Sequence, residues 1–152
     1  MEKISVIDSR SFNKLSDIHS PFILVVHKGE PIIETILNCA RALKLNSASL
    51  SGLGALENPT IAYFNLGKRT YQDKIFSGIF ELISLIGNIA QFEGNYVPHI
   101  HVTLGDEQYQ VFGGHLQNAI VGVTAEITIT PLAGSLIRQL HPDIGAKLIQ
   151  VQ

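Results

Sequence analysis

"PHIHVTLGDEQYQVFGGHLQNAIV", residues 98–121, holds three of the chain's six histidines and alternates apolar with polar residues at strand spacing. Successive side chains on a strand point to opposite faces. Ile100, Val102 and Leu104 therefore share one face, and His99, His101 and Thr103 share the other. The apolar set belongs against a core, so the His-X-His set looks into a cleft, a cavity or a subunit contact. Residues i and i+2 on one face lie ~6–7 Å apart, near enough for two imidazoles to converge on one ion. Gly105-Asp106 has turn chemistry. A strand over 108–113 that returns beside 99–104 brings up His115 as a third ligand, with Gly113-Gly114 as the exit of the hairpin.

Outward from this hairpin the pattern is mostly strand. "FILVVHKGE" (22–30) reads as a buried strand stopped by Gly29. Pro31 then opens a helix, where its missing N–H costs nothing. Ile32, Ile33, Ile36, Leu37, Ala40 and Leu43 fall on one face of that helix, over about 31–45. "SASLSGLGAL" (47–56) reads as a strand with glycines at a bend or close approach, Asn58-Pro59 as a turn, and "TIAYFNL" (60–66) as the next strand. Gly67-Lys68 makes a hairpin turn before a weaker strand over 70–77. A long apolar strand follows over 78–94, then 99–106, 108–115 and 118–130. In the last of these, Val121, Val123, Ala125, Ile127 and Ile129 form an apolar face, and Glu126 lies with Thr124 and Thr128 on the polar one. The tail from 135 onward has no clear pattern. The fold class is α+β: a mostly antiparallel sheet packed with one main helix, in a single domain over 1–152.

Composition narrows the functional classes. The chain has 152 residues, 45% hydrophobic and 16% charged, with a net charge of −2. This is apolar for so small a protein and fits a well-packed domain or an oligomer. The sequence pI of about 6.3 gives no basic footprint for nucleic acid, and Lys68-Arg69 is the one adjacent basic pair. A single cysteine, Cys39, excludes an internal disulfide and a cysteine-based zinc ribbon. It falls on the helix, where it should be buried and inert. The N-terminus lacks a cationic start followed by an apolar run, and no apolar stretch is long enough to span a bilayer. The expectation is a cytoplasmic protein without a membrane partner.

Three neutral imidazoles suit a divalent metal, zinc first and otherwise iron, nickel, cobalt or copper. Three protein ligands leave one position open, so the expected metal set is His99, His101 and His115. Glu81 is the second anomaly, a carboxylate among Phe80, Leu82, Ile83 and Leu85. If buried, it needs a hydrogen-bonding partner or a raised pKa. It is the candidate catalytic base should an ion-activated water make this a hydrolase-like enzyme; a hydrogen bond to backbone or arginine is the bland alternative. His27 ends a strand and reads as a structural or subunit contact, and His19 and His141 read as loop residues. "SGLGALE" has only two glycines of a dinucleotide fingerprint, with Glu57 in the third place. Neither a nucleophile elbow nor a P-loop is present.

Four segments together resemble the PPC domain, the plant and prokaryote conserved domain. "SGLGAL" (51–56) matches its Ser-Gly-Ile/Leu-Gly element, and "GIFELISLIGNI" (78–89) its Gly-Arg-Phe-Glu-Ile-Leu-Ser-Leu-Ser-Gly segment. "PHIHVTL" (98–104) and "GGHLQNAIVGVTAEITI" (113–129) match its His-X-His and Gly-Gly-His-Leu elements, in order across about 21–131. The resemblance implies a homotrimer with His99, His101 and His115 at a metal site near a subunit boundary. Ile79 stands where the plant segment has arginine, and no Arg-Gly-Arg AT-hook core is found in the chain. DNA association is thus implied by family analogy alone and opposed by charge. A small-molecule ligand fits a metal site with an open position. The alternative metal-enzyme reading is a cupin, whose metal motif the Gly94…His99-X-His101…Glu107…Gly113 spacing loosely resembles; the early helix and the nearness of His115 count against it.

Overall fold

The apolar runs of the sequence become long, bent strands. A computed structural model describes residues 5–11, 18 and 20–151; His19, expected in a loop, lies outside these residues. In chain order the described elements are β1 (Ser5–Asp8), β2 (Phe22–His27), α1 (Ile32–Ala42), β3 (Ala48–Asn65), β4 (Thr70–Ile75), β5 (Ile79–Phe92), β6 (Asn95–Gly105), β7 (Val111–Pro131), β8 (Arg138–Leu140) and β9 (Lys147–Ile149). The expected mostly antiparallel sheet with one main helix is present. A parallel pairing of β1 with β2 and a small β8–β9 hairpin complete it.

The main sheet runs β1-β2-β7-β6-β5-β3-β4, and β7 also pairs with β3. This additional pairing closes β3, β5, β6 and β7 into a circuit. Two strands make closure possible by serving more than one partner. β3 spans 18 residues and β7 spans 21. β7 pairs with β6 through Val111–His115 and with β2 through Thr124–Ile129, while its other edge follows β3. A closed circuit leaves few free edges and fixes strand register.

The helix is shorter than 31–45. Pro31 takes an extended conformation as its N-cap, and Lys44 adopts a left-handed φ of 51°. The Leu45 N–H closes back on the Ala40 carbonyl, which ends the helix at Ala42. Its buried face, Ile32, Thr35, Ile36, Cys39 and Ala40, lies against β7, β6 and β2. The core beneath is mostly aliphatic around one phenylalanine, with Phe22, Leu24, Leu50, Leu85, Ile100, Leu104 and Ile127 each buried to 1% exposure or less.

Three local expectations are corrected. Asn58-Pro59 is a bulge inside β3: the register to β7 slips between Glu57 and Thr60, and the Asn58 carboxamide accepts the Gly78 N–H at 2.9 Å. Gly113-Gly114 is interior to β7, where a Cβ at Gly113 would lie 2.3 Å from the Val102 carbonyl and one at Gly114 2.8 Å from Ile61 Cγ2. These glycines admit a neighbouring backbone. Val123 leaves its apolar row and is 63% exposed, beside the register slip between Gly54 and Leu56.

Gly113→Ala is expected to cost ~1–3 kcal/mol, the range for forcing extra carbon into a packed site, and to loosen β6 from β7. Gly67→Ala, whose added carbon meets no atom nearer than 3.4 Å, should stay within ~0.5 kcal/mol of wild type. Urea denaturation of both variants checks this; equal stabilities would show that the close approach carries no weight.

Candidate metal centre

The site is a product of strand register. In the antiparallel β6–β7 pair His101 lies directly opposite His115. Directly opposed residues share a face, with Cβ atoms ~4.5–5.5 Å apart. His99 stands two residues back on β6, on the same face and diagonal to His115. The loop between the strands holds this register. The Asp106 carboxylate accepts the Gln108 and Gln110 N–H groups at 3.0 and 2.8 Å, and the Asp106 N–H donates to the Gln110 carbonyl at 3.1 Å. At the far end of β6, Glu93 and Gly94 both take positive φ, 50° and 76°. This fits the two-residue turn that matches strand twist and ties β6 to β5.

The three ring centroids are 5.1, 5.2 and 5.5 Å apart, and one ring nitrogen from each histidine lies within 4.8 Å of the others. Zinc–imidazole bonds of ~2.1 Å would draw the nitrogens in by roughly 1 Å. His99 and His115 are half-buried and His101 is exposed. The Tyr71 ring lies against His115 at 4.7 Å with a 31° tilt, which fixes the imidazole plane. His115 Nδ1 is buried and, among the described residues, has no hydrogen-bond partner. A buried imidazole nitrogen without a partner is costly unless something occupies its lone pair. This orphaned atom, next to two further imidazoles, fits a divalent ion.

Arg138 completes the surroundings. It comes from β8 and is 7% exposed, yet among the described residues its guanidinium bonds to neutral acceptors alone. It donates to Asn88 Oδ1 at 2.8 Å, to the Lys147 carbonyl at 2.8 Å and to His99 Nδ1 at 3.2 Å. Asn88 is the β5 residue opposite His99. Sequence reading missed both Arg138 and Tyr71. The one available signal was an arginine inside the apolar "SLIRQL". A cleft of about 290 Å³ opens beside the rings, lined among others by Tyr71, Pro98, His99, His115, Arg138 and Leu148.

Glu81 is not part of this site. It is exposed and pairs with Gly105, whereas Ile86 is the β5 residue opposite His101. Five residues along a strand amount to roughly 16 Å. The expected burial fails because β5 is apolar on both faces, and its outer face leaves Ile79, Ile83 and Ile86 in the open, 51–64% exposed. His27 is structural, its Nε2 3.0 Å from the Asp8 carboxylate. Cys39 is fully buried in α1, and burial pushes its thiol up to about 12.

Burial pulls His115 down to about 4, helped by His99, His101 and Arg138 and opposed by Asp73. Burial, then Arg138 and His101, also lower His99. Both therefore remain neutral in the fold at neutral pH, as metal ligands must. In the unfolded chain they take up protons at higher pH than in the folded one. Their contribution to stability is thus full above about pH 6.5, the ordinary histidine value, and is lost as pH falls through about 4. Urea midpoints of metal-free protein should fall over this window, and His115→Gln should flatten the fall. An unchanged slope in the variant would mean that His115 is not the group responsible.

The family model described as the Plants and Prokaryotes Conserved (PCC) domain matches residues 15–133. Three solved structures share the fold. A plant- and prokaryote-conserved (PPC) protein of Pyrococcus horikoshii is 34% identical, over 87% of this chain and 92% of that one, with a TM-score of 0.81. A metal-containing protein of Archaeoglobus fulgidus is 28% identical, over 89% and 96%, at 0.82. A protein of Bacteroides thetaiotaomicron described as a candidate DNA-binding protein is 26% identical, over 88% and 94%, at 0.84. No curated protein matches the chain. The family model spans most of the sequence and the four segments that resemble the PPC domain, so the chain belongs to the Plants and Prokaryotes Conserved domain family.

Proposed function

We propose that this protein binds one divalent metal ion per chain through His99, His101 and His115, with zinc the first candidate, and that it works as a homotrimer. The observation that carries the metal reading is the convergence of three imidazole nitrogens within 4.8 Å together with a buried His115 Nδ1 that has no hydrogen-bond partner among the described residues. The metal-containing relative from Archaeoglobus fulgidus supports it. An ion held by three imidazoles supplies Lewis-acid chemistry at its remaining position. The chain's own residues set the rest: Tyr71 orients His115, and Asn88 and Arg138 surround His99. The cleft beside them is near the lower end of small-molecule pocket sizes, ~300 Å³, which supports a small ligand. No reaction is assigned, and no carboxylate lines the cleft among the described residues.

Self-association is supported by the outer surface. Leu53, Ile79, Ile83, Ile86 and Val123, on β3, β5 and β7, are 51–64% exposed. Apolar exposure on this scale marks contact surfaces. Ile86 lies directly opposite His101, so the exposed His101 ring borders that surface. This agrees with a histidine cluster near a subunit boundary. DNA association, offered for the Bacteroides thetaiotaomicron relative, is the weaker reading, because a net charge of −2 and a single adjacent basic pair give the sequence no basic footprint.

Elemental analysis and light scattering on one sample test the proposal, with His99→Ala/His101→Ala as the comparison. One ion per chain, lost in the double variant, and a mass three times the chain's 16.6 kDa are expected. A folded protein that takes up no metal after zinc addition would contradict the metal reading, and a monomer the assembly.

A further inference from the structure

We infer that Arg138 is a latch on the metal centre: it competes with the ion for His99, so that metal uptake releases the β8–β9 hairpin. This rests on the metal reading above.

A guanidinium has five N–H donors and no acceptor. Its contact with His99 Nδ1 at 3.2 Å therefore uses the Nδ1 lone pair, and a neutral His99 carries its proton on Nε2. If Nδ1 is the nitrogen offered to the ion, Arg138 occupies it. If Nε2 is offered, it holds a hydrogen and has no lone pair to give. Neither ring nitrogen is free to ligate while Arg138 stays bonded. Metal-bound histidines ordinarily donate their second N–H to an acceptor, which fixes the tautomer and raises ligand basicity. Here the partner is an obligate donor, the inverse of that arrangement. The charge acts in the same direction, since a buried guanidinium beside the imidazoles repels a divalent cation.

The same side chain fastens the hairpin. Its second bonded nitrogen reaches the Lys147 carbonyl on β9, and its His99-bonded nitrogen also holds Asn88 on β5. β8 and β9 pair with each other through Arg138–Leu140 and Lys147–Ile149, extended by the Gln150 N–H to the Ile137 carbonyl and the His141 N–H to the Ala146 carbonyl, and a Gln91–Ile137 bridge ties the start of the hairpin to β5. The hairpin lines the cleft through Ala146, Lys147 and Leu148. Withdrawal of Arg138 from His99 thus frees the ligand and loosens one wall of the cleft together. Coupling of this kind is reciprocal: whatever holds the hairpin down weakens the ion, and the ion weakens the hairpin. Residues 138–149 lie beyond the 15–133 span of the family match, so the latch is carried by a segment outside the matched domain.

The test measures zinc affinity by chelator competition for wild type and Arg138→Gln, and hydrogen exchange of wild-type amides in 138–149 with and without saturating zinc. At least tenfold tighter zinc in Arg138→Gln is expected, with faster exchange across the hairpin when zinc is bound. Equal or weaker affinity in a folded variant overturns the latch and leaves the metal site standing. If the variant does not fold, the wild-type exchange decides alone: hairpin amides unchanged or slowed by zinc overturn the latch. Zinc bound by neither protein overturns both readings.

Discussion

The register between β6 and β7 is the constraint on which the site depends. Only five residue pairs join the two strands, from His101↔His115 to Gly105↔Val111. A slip of one residue would turn His115 to the opposite face. The register is protected on both flanks of β6 by glycine. Gly87 of β5 would place a Cβ 2.3 Å from the His99 carbonyl, and Gly113 of β7 one 2.3 Å from the Val102 carbonyl. The histidine strand thus lies between two neighbours that, at Gly87 and Gly113, come too close to carry a side chain. The fold holds that strand tightly while presenting its polar face outward.

That face is electrostatically unusual. Three imidazoles and a buried guanidinium gather where no carboxylate accepts a hydrogen bond from any of them, among the described residues. Burial first, and then the neighbouring positive charges, hold the half-buried His99 and His115 below the ordinary histidine range. Such a cluster of neutral imidazoles is poor at holding protons and well suited to share lone pairs with one ion. In the proposed latch the guanidinium would work against that ion, and affinity would be set by the balance between ligand convergence and the Arg138 contact.

Much of this was legible in the sequence, because strand periodicity is local. The buried row Ile100, Val102 and Leu104 and the outward His99 and His101 follow from alternation alone, and the turn at Gly105-Asp106 points to His115. What failed depended on distant partners. Gly113-Gly114 looked like a hairpin exit, since a glycine that admits a neighbouring backbone is indistinguishable in sequence from one that turns the chain. Glu81 looked buried because an apolar outer face on β5 reads the same whether a core or another subunit covers it. Arg138 reaches His99 across 39 positions, through a hairpin whose sequence carries weak strand signals. The resemblance to the PPC family supplied the expectation of a trimer, which periodicity alone does not.

X-ray absorption at the zinc edge of zinc-loaded protein would count the imidazoles around the ion. Three nitrogen neighbours at ~2.0–2.1 Å with the scattering pattern of histidine rings are expected, with loss of one ring in His115→Ala. A shell of oxygen ligands with one imidazole or none would contradict the three-histidine site.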